Sequence, residues 1–232
     1  MAIVNPMPVR AKICGIRSAD DLAIAIAAGA DAVGFICGIT HYSEDALAPQ
    51  EALALSRQVP ASVGRVLVTH LVQAKEIVDL AALVEVDTIQ IHGLVNEPTV
   101  RKVVAGAAGR RVIRAIHVVD VGAVEAALRA ASYCAAVLLD SRTADRLGGT
   151  GRTHDWSVSA RIVEALAGTG CRVILAGGLT PANVHDAIAT VRPQAVDVNS
   201  GVEDADGNKN AAACDAFVSS AHNALSALVE DA

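Results

Sequence analysis

Eight times along this chain a short run rich in Val, Ile and Leu gives way to a polar or glycine-containing loop, and then to a segment with helical spacing. The runs are KICGI at 12–16, AVGFI at 32–36, RVLVT at 65–69, TIQIH at 88–92, RVIRAI at 111–116, AAVLLD at 135–140, RVILAG at 172–177 and AVDVN at 195–199. Most are apolar at consecutive rather than alternate positions, the pattern of strands covered on both faces and hence of a parallel sheet. Helical segments such as DLAIAIAAGA, LVQAKEIVDLAALV and VGAVEAALRAA fit between them. Ser18, three residues before Asp21, reads as an N-cap, and Gly29 as a stop. In TPANV, Thr180 reads as an N-cap with Pro181 at the first helical position. Eight βα units in 232 residues predict a single-domain (β/α)8 TIM barrel over 1–232. An open doubly wound sheet is the alternative, but no G-x-G-x-x-G follows the first run.

Aromatic residues make up 2% of the chain, so Ala, Val, Ile and Leu must fill the core. The formal charge of -6 gives no broad basic face for nucleic acid. Charged residues interrupt each apolar stretch before it could span a bilayer, and MAIVNPMPVR lacks the apolar segment of a signal peptide. The five cysteines, Cys14, Cys37, Cys134, Cys171 and Cys214, show no C-x-x-C spacing. Scattered, odd-numbered thiols suit a reducing compartment, so a cytoplasmic protein is expected, monomer or homodimer, with no metal site signalled by spacing.

In a barrel of this kind the site lies at the carboxyl ends of the strands. The polar residues there are Cys14, Thr69, His70, Gln90, His92, Arg114 and Asp140. A strand cysteine is ordinarily a packing residue, and a lone His92 fits a structural hydrogen bond as well as a ligand contact. Asp140 directly ends a buried apolar run, where a carboxylate needs a reason to be. Gly148, Gly149 and Gly151 in GGTGRTHDW allow close backbone approach to a ligand. Gly177 and Gly178, with Ser200 and Gly201, place two glycine loops after the last two strands, where backbone N–H groups can hold a phosphate. A small phosphosugar is therefore the expected ligand.

Together, KICGI, GADAVGFI, IQIHG, VLLDS…GGTGRTHDW, AGGLTPANV and AVDVNSGVE resemble, in order, the motifs of the phosphoribosylanthranilate isomerase family. The resemblance covers nearly the full chain. It implies an Amadori rearrangement in tryptophan biosynthesis, converting an aminoaldose to an aminoketose without a cofactor. It further implies that Cys14 is the general base for the sugar C2 proton and Asp140 the general acid for the furanose ring oxygen. Gly177, Gly178, Asn199, Ser200 and Gly201 would then hold the 5-phosphate. Such a pair needs opposite tuning: a thiol drawn toward neutrality by positive potential, and a carboxyl kept protonated by burial.

The sequence departs from that family in the loop after the second strand, CGITHYSEDALAPQEA. It has no Lys or Arg and carries Glu44 and Asp45 where the family has an arginine for the anthranilate carboxylate. An acidic loop repels a carboxylate and offers it no bidentate pair. VTHL after strand three, Asn199 and Asn210 are smaller departures. Three readings follow. In the first, the same isomerisation proceeds with the carboxylate met by Arg114, His41 or His70. In the second, a related enzyme acts on a phosphoribosyl compound with a different aglycone. The third is a catalytically silent barrel that binds a sugar phosphate or a protein.

Overall fold

The computed structural model describes residues 8–40, 43–143, 146–147 and 155–230. Of the residues singled out above, His41 and the loop glycines Gly148, Gly149 and Gly151 lie outside them. The barrel strands are β1 (Arg10–Ile13), β2 (Ala32–Cys37), β3 (Gly64–Thr69), β4 (Thr88–Ile91), β5 (Arg111–His117), β6 (Ala136–Asp140), β7 (Arg172–Leu175) and β8 (Ala195–Val198). Each pairs in parallel with the next, and β1 closes the cylinder by pairing with both β8 and β2. The helices are α1 (Ala19–Ala27), α2 (Pro49–Ser56), α3 (Ala74–Leu83), α4 (Glu97–Gly106), α5 (Gly122–Ala131), α6 (Trp156–Ala165), α7 (Val184–Val191) and α8 (Ala211–Glu230). The predicted (β/α)8 barrel is the observed one. Among the described residues no helix is long and apolar enough to cross a membrane.

Alternation along the strands divides the apolar residues into two shells. Phe35, Leu67, Ile89, Ile91, Leu139 and Leu175 face outward and pack against Ile77, Ile162, Ile188 and Phe217 from the helices. Each such side chain, fully buried, stabilises the fold by about 1.5–3 kcal/mol. Inside the barrel sit two smaller apolar groups. One is Ile113, Ala115, Ala136, Leu138, Ile174 and Ala176, and the other is Cys14, Val66 and Val68. Between them the interior is polar, and that break positions the site.

Local signals held at most boundaries. Ser18 Oγ accepts from the Asp21 N–H at 3.0 Å, and Gly29 takes φ +81° just beyond α1. The start of α7 is a correction. Thr180 and Pro181 precede the helix, which begins at Val184 with Asn183 at the N-cap. Asn183 Oδ1 accepts from Thr180 N–H at 2.8 Å and its amide donates to Gly178 O at 3.0 Å. That Asn183 side chain folds 180–183 into a turn, which delays the helix and fixes the glycine loop before it.

Candidate active site

Cys14 is the first residue past β1, and its N–H donates to Val198 O at 2.8 Å. Lys12 and Cys14 share the strand's inward face, because side chains alternate. Both are accommodated by Gly34 on β2, where a Cβ would come within 2.8 Å of Cys14 Sγ and 3.0 Å of Lys12 Cε. Lys12 is 4% exposed, and its ammonium donates to both oxygens of Asp197 at 2.9 Å. Burial alone would lower the Lys12 pKa, but Asp197 and Cys14 outweigh it, so the ammonium stays charged.

The thiol departs from the sequence expectation. Burial pushes the Cys14 pKa above its ordinary value and Asp197 adds to this, against the ammonium of Lys12, which lowers it. Lys12 shares its charge with Asp197, so too little is left to offset the desolvation of a thiolate. The other cysteines are also free and buried. Burial carries Cys134 to about 12 and Cys214 to about 11, as befits packing residues.

On the far wall, Asp140 ends β6 and is 5% exposed. Its Oδ2 lies 3.1 Å from His92 Nε2. The Gln90 amide nitrogen is 3.3 Å from His92 Nδ1. Donation to Nδ1 leaves the ring proton on Nε2, directed at Asp140. His70 stacks on His92 with centroids 5.3 Å apart, and His117 meets it edge-on at 5.5 Å. Gly177, at φ +83°, completes the surroundings of Asp140, since a Cβ there would stand 2.8 Å from Asp140 Oδ1.

The two glycine loops after β7 and β8 touch, with Gly201 packed on the carbonyl of Leu179. Ser200 and Gly201 open a single 3-10 turn, Ser200–Val202. A Cβ at Gly201 would overlap Leu179 O and crowd Val198. Gly201→Ala is therefore expected to lower stability by about 1–3 kcal/mol, and to raise KM for a phosphorylated ligand by parting the loops. Urea unfolding beside KM checks this, and unchanged values of both would remove the loop contact from the argument. Asn199 has its amide engaged elsewhere. Oδ1 accepts from Lys209 Nζ at 2.7 Å and Nδ2 donates to Asp45 Oδ2 at 2.8 Å.

Arg114 is placed away from the site. Its register neighbours Ile113 and Ala115 point into the barrel, so by alternation Arg114 faces the helices. There it donates to Gly93 O at 2.7 Å and Val95 O at 2.9 Å, supporting the loop after β4. The acidic loop after β2 finds a different cation, Arg17, whose Nε is 3.8 Å from Asp45 and whose guanidinium also bonds Gly207 O. Sequence reasoning missed Lys12, Arg17, His117 and Asp197. Lys12 and Asp197 carried a signal, each being a charge in a barrel strand two positions from a singled-out residue. His117 is the last residue of β5, one past the run read at 111–116.

A family model for N-(5'-phosphoribosyl)anthranilate isomerase matches residues 11–220. The N-(5'-phosphoribosyl)anthranilate isomerase of Halobacterium salinarum is 41% identical over 215 residues, covering 91% of this chain and 95% of its own. A second isomerase of that name from Methanosarcina mazei is 36% identical over 217 residues, 93% of this chain and 95% of its own. Among solved structures, phosphoribosyl anthranilate isomerase from Thermotoga maritima superposes with TM-score 0.80 at 35% identity, over 92% of this chain and 98% of that one. Another, holding reduced 1-(o-carboxyphenylamino)-1-deoxyribulose 5-phosphate, gives 0.77 at 33% identity, over 92% and 98%.

Proposed function

This chain belongs to the N-(5'-phosphoribosyl)anthranilate isomerase family, and on that premise we propose that Cys14 is the general base and Asp140 the general acid of the rearrangement. The observation that carries the assignment is the pair of polar dyads inside one barrel mouth. Lys12 stands beside the Cys14 thiol, and His92 is hydrogen-bonded to the Asp140 carboxyl. Asp197 lies within electrostatic reach of both dyads, so the two belong to one pocket.

The chemistry runs in two steps. Asp140 gives a proton to the furanose ring oxygen as the amine lone pair forms a C1=N bond and the C1–O bond breaks. The Cys14 thiolate then takes the C2 proton, the C2–H electrons form C1=C2 as the C1=N pair returns to nitrogen, and the resulting enolamine becomes the aminoketose as C1 gains a proton and the C2 hydroxyl loses one. Lys12 stabilises the thiolate when it forms, and His92 holds Asp140 by its Oδ2. The contact between Gly201 and Leu179 supports a phosphate cradle at the β7 and β8 loops, with backbone N–H groups as donors.

The test is loss of phosphoribosylanthranilate fluorescence with the substrate generated enzymatically in place. Turnover by the wild type, lost in Cys14→Ala and in Asp140→Asn, supports the assignment. One observation favours a second reading: Asp45 accepts from the Asn199 amide just past β8, which keeps a carboxylate of the β2 loop beside the strand ends. An aglycone without a carboxylate would avoid that charge. Absence of turnover together with binding of ribose 5-phosphate would select this reading over the first.

A further inference from the structure

Three consecutive strand ends, those of β4, β5 and β6, present His92, His117 and Asp140 to the same volume. One ligand-capable atom from each lies within 4.8 Å of the others. His117 and Asp140 are direct register partners, and His92 Nε2 already reaches Asp140 Oδ2 at 3.1 Å. From this geometry we propose that the three side chains form a site for a divalent transition-metal ion such as Zn2+, Ni2+ or Co2+, overlapping the acid half of the active site.

The donor set carries the chemistry. Two imidazoles and one carboxylate are the ligands these ions take at about 2 Å, with solvent or substrate oxygen completing the shell. An exposed acidic cluster would hold Ca2+ or Mg2+ or nothing, but here nitrogen donors predominate and the carboxylate is buried. Ligands at about 2 Å from one ion lie closer together than 4.8 Å, so binding draws the three side chains inward. The second shell fits as well. Gln90 sits at His92 Nδ1, and its Oε1 is buried with no hydrogen-bond partner among the described residues. When Nε2 binds a metal the ring proton moves to Nδ1, where Gln90 accepts it through Oε1 once its amide turns over. His70, stacked on His92, limits rotation of the ring.

A bound ion takes the Asp140 oxygen as a ligand and keeps the carboxyl deprotonated, so it removes the general acid. This inhibitory arm rests on the role given to Asp140 above, whereas binding itself does not.

The experiment titrates chelator-treated enzyme with Zn2+ by calorimetry and with Co2+ by visible absorption, alongside His117→Ala and His117→Gln. One saturable site is expected in the wild type, with visible Co2+ bands and no cobalt–thiolate absorption in the near ultraviolet. Either variant is expected to bind at least about tenfold more weakly, with its inhibition by Zn2+ read against its own metal-free rate. Zn2+ should inhibit the wild type, a chelator should restore it, and His117→Ala should resist. Equal affinity in wild type and both variants, no saturable binding, or a cobalt–thiolate band would overturn the proposal. Binding that depends on His117 without inhibition would keep the metal site and overturn Asp140 as the acid.

Discussion

Cys14→Ala is expected to turn over its substrate about 10²–10⁴-fold more slowly than the wild type, the span typical of losing a positioned acid or base. The change removes only Sγ, and the site is small enough that folding should survive. The pH profile identifies the base more sharply than the size of the loss. Because burial holds the thiol above its ordinary pKa, the thiolate is the minor form at neutral pH. The rate should therefore climb with pH wherever Asp140 keeps its proton, approaching tenfold per pH unit while the thiol remains mostly protonated. Lys12 and Asp197 then offer a test of sign. Lys12→Met removes the charge that lowers the Cys14 pKa, so the alkaline rise moves to higher pH. Asp197→Asn removes one that raises it, so the rise moves lower. Breaking this buried pair costs about 3–5 kcal/mol, so both variants need a folding check by circular dichroism. Shifts of equal sign in the two variants would dismiss Cys14 as the base.

The fold was legible because its signal is carried locally. RVLVT and TIQIH are apolar at successive positions, as strands covered on both faces must be, and the observed β3 and β4 differ from those runs by a single terminal residue. The placement of Cys14 and Asp140 at the barrel mouth was legible for the same reason, since both sit at the edges of such runs. What escaped the sequence is what depends on partners distant along the chain. Lys12 reads as a solvated charge until β1 pairs with β8 and brings in Asp197, 185 residues away. The direction of the Cys14 shift could not be read without that pair, because it turns on how Asp197 divides the charge of Lys12. Arg114 shows a different failure. Its distance from the strand end suggested the mouth, but counting back two positions at a time from His117 places Ala115 and Ile113 inside and Arg114 outside. The late start of α7 needed the Asn183 side chain, whose bonds to Thr180 and Gly178 outcompete Thr180 as a cap.

Asp140→Asn should lower kcat by about 10²–10⁴-fold and leave KM near its wild-type value. The asparagine keeps the shape of the carboxyl and can still accept from His92 Nε2, so the barrel mouth and the glycine loops stay as they are. What it cannot do is deliver a carboxyl proton to the ring oxygen, an interaction made only as the C1–O bond breaks. A loss confined to kcat is the signature of such an interaction. On the proposed mechanism His92 acts only through the same carboxyl, to which it is hydrogen-bonded. Once Asp140 is asparagine, His92 has no acid left to orient, so Asp140→Asn with His92→Gln should be no slower than Asp140→Asn alone, although His92→Gln slows the wild type. Full additivity of the two changes would make His92 an independent participant in the chemistry. Wild-type kcat in Asp140→Asn would move the acid to another group at the mouth.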